Sequence, residues 1–199
     1  MSERIAKVIA RATKHSRRGA EYLIAQGCVR VDGKLINSPA LNVSASNRLE
    51  LNNQRIKFEA PSLKLYKYHK PQGVLVTHDD PHGRKTIFDL LPERFENMVT
   101  IGRLDSETEG LLLLTNDGDL KRTLELPKNN FRREYTALVK GIVDDHVVNE
   151  MSRGIEISRM RYKPIEVVVE SYSKQYTWVR LTLTEGTLIH SYTYTLILS

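Results

Sequence analysis

The sequence is nearly free of cysteine: Cys28 is the single one among 199 residues. One thiol excludes an internal disulfide framework and fits a reducing compartment. No apolar run approaches the roughly 18 residues needed to cross a bilayer. The opening Met1-Ser2-Glu3-Arg4 leads straight into an amphipathic pattern, without the apolar stretch of a secretory signal. These absences set the expectation of a cytoplasmic protein with no membrane partner. Internal repeats and low-complexity segments are lacking too. That leaves one medium domain, or a small one joined to a larger one. The 40% hydrophobic and 27% charged fractions are those of a globular chain.

Charge is distributed unevenly. Residues 1–60 hold 11 Lys and Arg against 5 Asp and Glu, whereas residues 61–199 hold 19 of each. The whole excess of +6 therefore sits in the first third. A localised excess of this kind suits a phosphate-binding module, and equally a solvated basic face. Ile5, Val8, Ile9 and Ala12 recur at helical spacing. A second helix is predicted from Ser16, a good N-cap, carrying Ala20, Leu23 and Ile24 to a stop at Gly27. Val29 and Val31 then alternate into the Asp32-Gly33 turn. Arg17 and Arg18 occupy the first turn of the second helix, where the macrodipole disfavours positive charge by roughly a few tenths of a kcal/mol. RNA phosphates reached from that helix end would explain them. Pro61-Ser62 reads as the joint between domains of 1–60 and 61–199.

Beyond residue 62 the texture turns to strands and loops, so the expected class is α+β. Lys70-Pro71-Gln72-Gly73 forms a turn, with Val74-Leu75-Val76 expected as a buried strand. A helix is predicted from Asp144 to Met151. Strands are predicted over 165–170 and 176–184, the latter with Val179, Leu181 and Leu183 inward. Gly102-Arg103-Leu104-Asp105-Ser106-Glu107-Thr108-Glu109-Gly110 precedes four consecutive leucines, expected as a strand buried on both faces and ending at Asn116-Asp117-Gly118. Spacing alone leaves two readings of Arg103 and Asp105: a salt bridge capping the loop, or a reactive carboxylate on a rigid strand. His78 and His82 flank Pro81, which opposes the helix that would align them as metal ligands, and they read as loop histidines near RNA. Lys121, Arg122, Arg132 and Arg133 either extend a basic surface or form an ordinary solvated face.

Residues 4–34, from Arg4-Ile5-Ala6-Lys7 through Ser16-Arg17-Arg18-Gly19 to Val29-Arg30-Val31-Asp32-Gly33-Lys34, resemble the alpha-L RNA-binding module, a helix pair backed by a small sheet. The segment from Gly102 to Gly118 resembles the catalytic signature of the pseudouridine synthases. In particular it resembles the branch of the RsuA/RluB type, which modifies ribosomal RNA and carries an N-terminal alpha-L module. Lys70-Pro71-x-Gly73 with Asp80-Pro81-x-Gly83-Arg84 resembles the family's first motif, and Arg133-Glu134-Tyr135 its tyrosine motif.

The resemblance implies a mostly antiparallel, mixed-sheet catalytic domain that isomerises uridine in ribosomal RNA, with the large-subunit RNA preferred over the small. It implies no cofactor and no metal, and a monomer is expected. Asp105 becomes the essential carboxylate, which could attack the sugar, attack the ring or remove a sugar proton. Arg103 is assigned to fill the gap left by the extruded base, and Tyr135 to stack on the uracil. Arg4, Lys7, Arg17, Arg18, Arg30, Lys34, Lys70 and Arg84 are the expected RNA contacts. Paired carboxylates of Asp105 with Glu107 or Glu109 would instead suit a hydrolase. After about residue 186 the sequence departs from the family, with an uncharged, β-prone stretch over 187–199 where an arginine-rich segment is the rule. A shifted frame or truncated gene is the favoured reading of that stretch over natural divergence, and an inactive RNA-binding protein is the alternative function it leaves open.

Overall fold

The computed structural model describes residues 2–13, 15–57, 62–154, 156–157, 160–161, 163–173 and 175–184. The expected joint at Pro61 and the stretch 187–199 lie outside them. The chain forms two compact units, Met1–Gly118 and Asp119–Ser199. Its architecture is α+β, as the order of elements predicted.

The first unit opens with a short strand, β1 (Glu3–Arg4), and the helices α1 (Ile5–Ala12) and α2 (Arg17–Ala25). Ile5, Ala6, Val8 and Ile9 of α1 are buried to 1% exposure or less, whereas Ala12, expected on the same face, is exposed at the last turn. Ser16 caps α2 by accepting from the Gly19 N–H at 3.0 Å. Strands β2 (Val29–Val31), β3 (Lys34–Ile36), β4 (Asn42–Val43), β5 (Leu49–Leu51) and β6 (Gln54–Ile56) follow. An antiparallel sheet of order β3-β2-β5-β6 lies beside a β1–β4 pair. Both two-residue hairpins need positive φ, supplied by Asp32 and Gly33 in one and Asn52 and Asn53 in the other. Helices and sheet share one apolar core, built on Ile5, Ile9, Ile24, Val29 and Leu49.

A second sheet of this unit has the antiparallel order β7-β9-β8, from β7 (Leu65–Lys70), β8 (Val99–Ile101) and β9 (Gly110–Thr115). Two expectations fail here. The leucine run is not buried on both faces: Leu112 and Leu114 are at 2% and 0%, but Leu111 is 68% exposed. The sheet has its core on one side, where Val74, Ile87, Phe95 and Met98 pack. Nor is 74–76 a strand. Leu75 makes a single bridge to Thr86, because the chain turns away after one pair of bonds with Lys85 and Ile87.

The second unit holds α3 (Gly118–Glu125, beginning at the last residue of the first), β10 (Arg133–Lys140) and α4 (Asp145–Arg153). The small pair β11 (Glu156–Ile157) and β12 (Met160–Arg161) follows, then β13 (Glu166–Tyr172) and β14 (Tyr176–Leu183). An antiparallel sheet of order β10-β14-β13 carries α4 against β13. Val179, Leu181 and Leu183 point inward at 0%, 2% and 7% exposure, with Trp178 outward at 44%, as alternation predicted. Asp144 caps α4 through the Val147 N–H at 3.0 Å. Among the described residues, no helix is long and apolar enough to cross a membrane.

Candidate active site

Register decides what meets at the end of the β7-β9-β8 sheet. Lys70, the last residue of β7, pairs with Gly110, the first of β9. The turn 71–73 and the loop 102–109 therefore leave the sheet side by side. They are sewn together: the Gly73 N–H donates to the Ser106 carbonyl at 2.8 Å, and the Thr108 N–H closes a turn onto the Asp105 carbonyl at 3.1 Å. Leu104 packs against the core beneath, while its neighbours Arg103 and Asp105 are exposed.

Lys70 occupies a place that the sequence did not suggest. The expectation that it contacts RNA is corrected, because it is at 0% exposure. Its ammonium donates to the carbonyls of Pro71 at 3.0 Å, Ser106 at 3.1 Å and Thr108 at 2.8 Å. All three protons are thereby used, which is what a buried ammonium requires. Burial pushes its pKa below the ordinary lysine value, and the carboxylates of Glu107 and Asp105 pull it partly back. A fixed positive charge thus lies within Coulombic reach of Asp105. A lysine beside a proline turn carries no burial signal in sequence; only the strand register reveals it.

Within the same unit, the loop after 76 holds Asp80 and Arg84. Asp80 accepts from the His82 and Arg84 N–H groups and from the Arg84 guanidinium, at 2.7 Å to its terminal nitrogen. These bonds, led by the guanidinium, hold the Asp80 carboxyl at about 2. Arg84 remains exposed, so its outward-facing N–H groups stay available. His78 stacks on Phe88 at 3.7 Å and bonds the Met98 carbonyl at 2.9 Å, an engaged ring rather than a free loop histidine.

The other basic candidates separate by what already holds them. Arg17, Arg18 and Lys34 are exposed, Arg17 with a loose pair to Glu21 at 3.8 Å. Arg4 bonds the Ala40 carbonyl, Lys7 pairs with Glu3 at 3.4 Å, and Arg30 donates to the Gly33 carbonyl at 3.2 Å. In the second unit, Tyr135 lies on β10 opposite Leu181 and is half-buried against that unit's core. Arg133 is anchored to the carbonyls of Leu124 and Thr184, and Arg132 pairs with Glu166, so both have structural partners.

An exposed carboxylate on a loop tied to the sheet end thus stands in the same chain as a basic helix-pair module. Comparison gives the family. Residues 64–188 match the RNA pseudouridylate synthase family and residues 3–49 the S4 domain. The chain belongs to the RNA pseudouridine synthase family and carries an N-terminal S4 RNA-binding domain. It is 41% identical over 184 residues to an RNA pseudouridine synthase of Rickettsia felis, covering 92% of this chain and 79% of that one. It is 38% identical to the ribosomal large subunit pseudouridine synthase B of Bacillus subtilis, covering 92% and 75%. A crystal structure of a pseudouridylate synthase aligns with a TM-score of 0.59 at 25% identity, over 98% of this chain and 83% of that one.

Proposed function

We propose that this protein isomerises a specific uridine of ribosomal RNA to pseudouridine, with the large-subunit RNA as substrate. The observation that carries the reading is Asp105, presented to solvent on a loop whose backbone is bound from below by the buried Lys70. In this reading the bond from ribose C1′ to uracil N1 breaks, the base turns, C1′ bonds to C5, C5 gives up its proton to restore the ring, and N1 takes up a proton. Atoms balance without an oxidant or co-reactant. Asp105 is the essential carboxylate, Arg103 takes the space vacated by the flipped base, and Tyr135 stacks on the uracil. Phosphate contacts fall to Arg4, Arg17, Arg18, Arg30, Lys34 and Arg84, the exposed members of the basic set.

The large-subunit assignment is supported by the relatives named for that activity, such as the Bacillus subtilis protein. A module boundary near residue 60, a monomeric state and a cytoplasmic location complete the proposal. Incubation with unmodified ribosomal RNA, followed by chemical mapping of pseudouridine, tests it. New pseudouridine in the large-subunit RNA, lost in Asp105→Ala, is the expected result; none in either subunit RNA would refute it. A second reading, RNA binding without isomerisation, is favoured by the uncharged stretch 187–199. It predicts salt-dependent RNA binding with no pseudouridine formed.

A further inference from the structure

The first unit holds a half-open cleft of about 760 Å³ that none of the residues of α2 lines. Its floor is apolar, from Val8, Leu51 and Ile56. Its rim carries Arg11, Arg55, Lys57 and Lys64, and among the described residues no Asp or Glu lines it. Arg11 is held by Glu3 at 2.9 and 3.0 Å. Arg55, Lys57 and Lys64 are exposed, and no carboxylate pairs with them among the described residues. Other cations are held by carboxylates: Arg48 by Glu50, Arg84 by Asp80, Lys121 by Glu125 and Arg180 by Glu170. Three like charges around one cavity repel one another, and an anion seated among them would relieve that repulsion.

The wall beneath Lys64 is built rather than loose. The Asn116 side chain accepts from the Lys64 N–H at 2.9 Å and donates to the Ser62 carbonyl at 2.9 Å. The Thr115 hydroxyl donates to the Lys64 carbonyl at 2.8 Å. These bonds fix the backbone from which Lys64 projects over the cleft. The volume falls within the roughly 300–1,000 Å³ of small-ligand sites. That is room for a short segment of one strand and too little for a duplex. An apolar floor under a cationic rim also matches a single strand, whose unpaired bases rest on apolar surface while its phosphates meet Lys and Arg.

We propose that this cleft holds a single-stranded segment of the RNA substrate, gripped through its phosphates by Arg55, Lys57 and Lys64. The proposal rests on the reading of the chain as an RNA-modifying enzyme and adds a second, strand-specific contact to the helix-pair surface of Arg17 and Arg18. Its test is binding, not turnover. A hairpin RNA with a short single-stranded extension at one end or the other, and the same hairpin with none, are titrated by fluorescence anisotropy at several salt concentrations. The proteins are the full chain with Asp105→Ala, and that chain with Arg55→Ala, Lys57→Ala and Lys64→Ala added. The triple change should weaken binding of at least one extended hairpin about tenfold and make its log–log salt slope shallower by about two, while the blunt hairpin binds as before. Removing equal charge elsewhere, with Lys128→Ala, Lys140→Ala and Arg153→Ala, should leave all three RNAs unaffected. The proposal is overturned by unchanged binding of both extended hairpins, by an equal loss on the blunt hairpin, or by an equal loss in the control. Failure of the unaltered chain to form pseudouridine would remove the functional reading while leaving this binding result intact.

Discussion

The Lys70 ammonium donates to the Thr108 carbonyl at 2.8 Å, joining the end of β7 to the far side of the loop that presents Asp105. With the bonds to Pro71 and Ser106, it forms a buried tripod under that loop. Lys70→Met keeps the apolar stem but leaves three carbonyls without their donor. Stability should fall by about 1–3 kcal/mol, measurable by denaturant unfolding. Turnover should fall more than RNA affinity, because the loop loses its fixed geometry. Amide exchange should quicken at Gly73, whose N–H bonds the Ser106 carbonyl. A Met variant with native exchange and native turnover would show that Lys70 does no positioning.

Asp105 is exposed, so its removal separates chemistry from folding. Asp105→Asn keeps the size and deletes the carboxylate. Pseudouridine formation should drop by on the order of 10²–10⁴, with melting displaced by no more than about 0.5 kcal/mol. RNA affinity should hold. Parallel loss of affinity and turnover would mean that Asp105 serves binding.

The paired Asp80 and Arg84 give a pH signature. The carboxyl sits at about 2 against an ordinary 3.8, so the stabilisation it contributes is complete above 3.8 and disappears as pH falls through about 2. Carboxyl NMR of the wild type should show the low midpoint, and Arg84→Ala should return it toward 3.8. Because Arg84 is argued to touch RNA, the same substitution should also weaken binding at neutral pH. A midpoint that stays low without the guanidinium would mean that the backbone N–H groups alone hold it.

How far the sequence alone carried this picture depended on periodicity. The face of α1, the cap at Ser16, the cap at Asp144 and the alternation of β14 were legible because each is set within a few residues. The carboxylate loop was recognisable as a motif. The burial of Lys70 was not, since it follows from a pairing with Gly110 forty residues away. The leucine run misled for a related reason. Apolar character on both sides of a strand says nothing about how many sheet faces the fold covers, and Leu111 is left in solvent. Likewise, 74–76 has the composition of a strand but only one bridging partner.

Arg17 and Arg18 predict effects of opposite sign. Both stand in the first turn of α2, where no acidic residue balances them. Arg17 gains little from an exposed pair with Glu21. The double change Arg17→Ala and Arg18→Ala should therefore leave stability equal or raise it by about 0.3–1 kcal/mol. The same change should weaken binding to structured RNA and make the salt slope shallower by about two. Unaltered RNA affinity would identify the pair as incidental surface.

Gly102 begins the loop at φ +74°, and a Cβ built there would meet nothing within 4 Å. The demand on this position is thus conformational, not steric. Gly102→Ala should cost about 1–2 kcal/mol, and the strain should reach Asp105 through Leu104, which is packed and cannot move freely. Asparagine tolerates left-handed backbone better than alanine although it is larger. Gly102→Asn should therefore retain more stability and more turnover than Gly102→Ala. If space rather than φ governed the position, the order would reverse, so unfolding and turnover of the two variants decide which constraint holds the Asp105 loop in place.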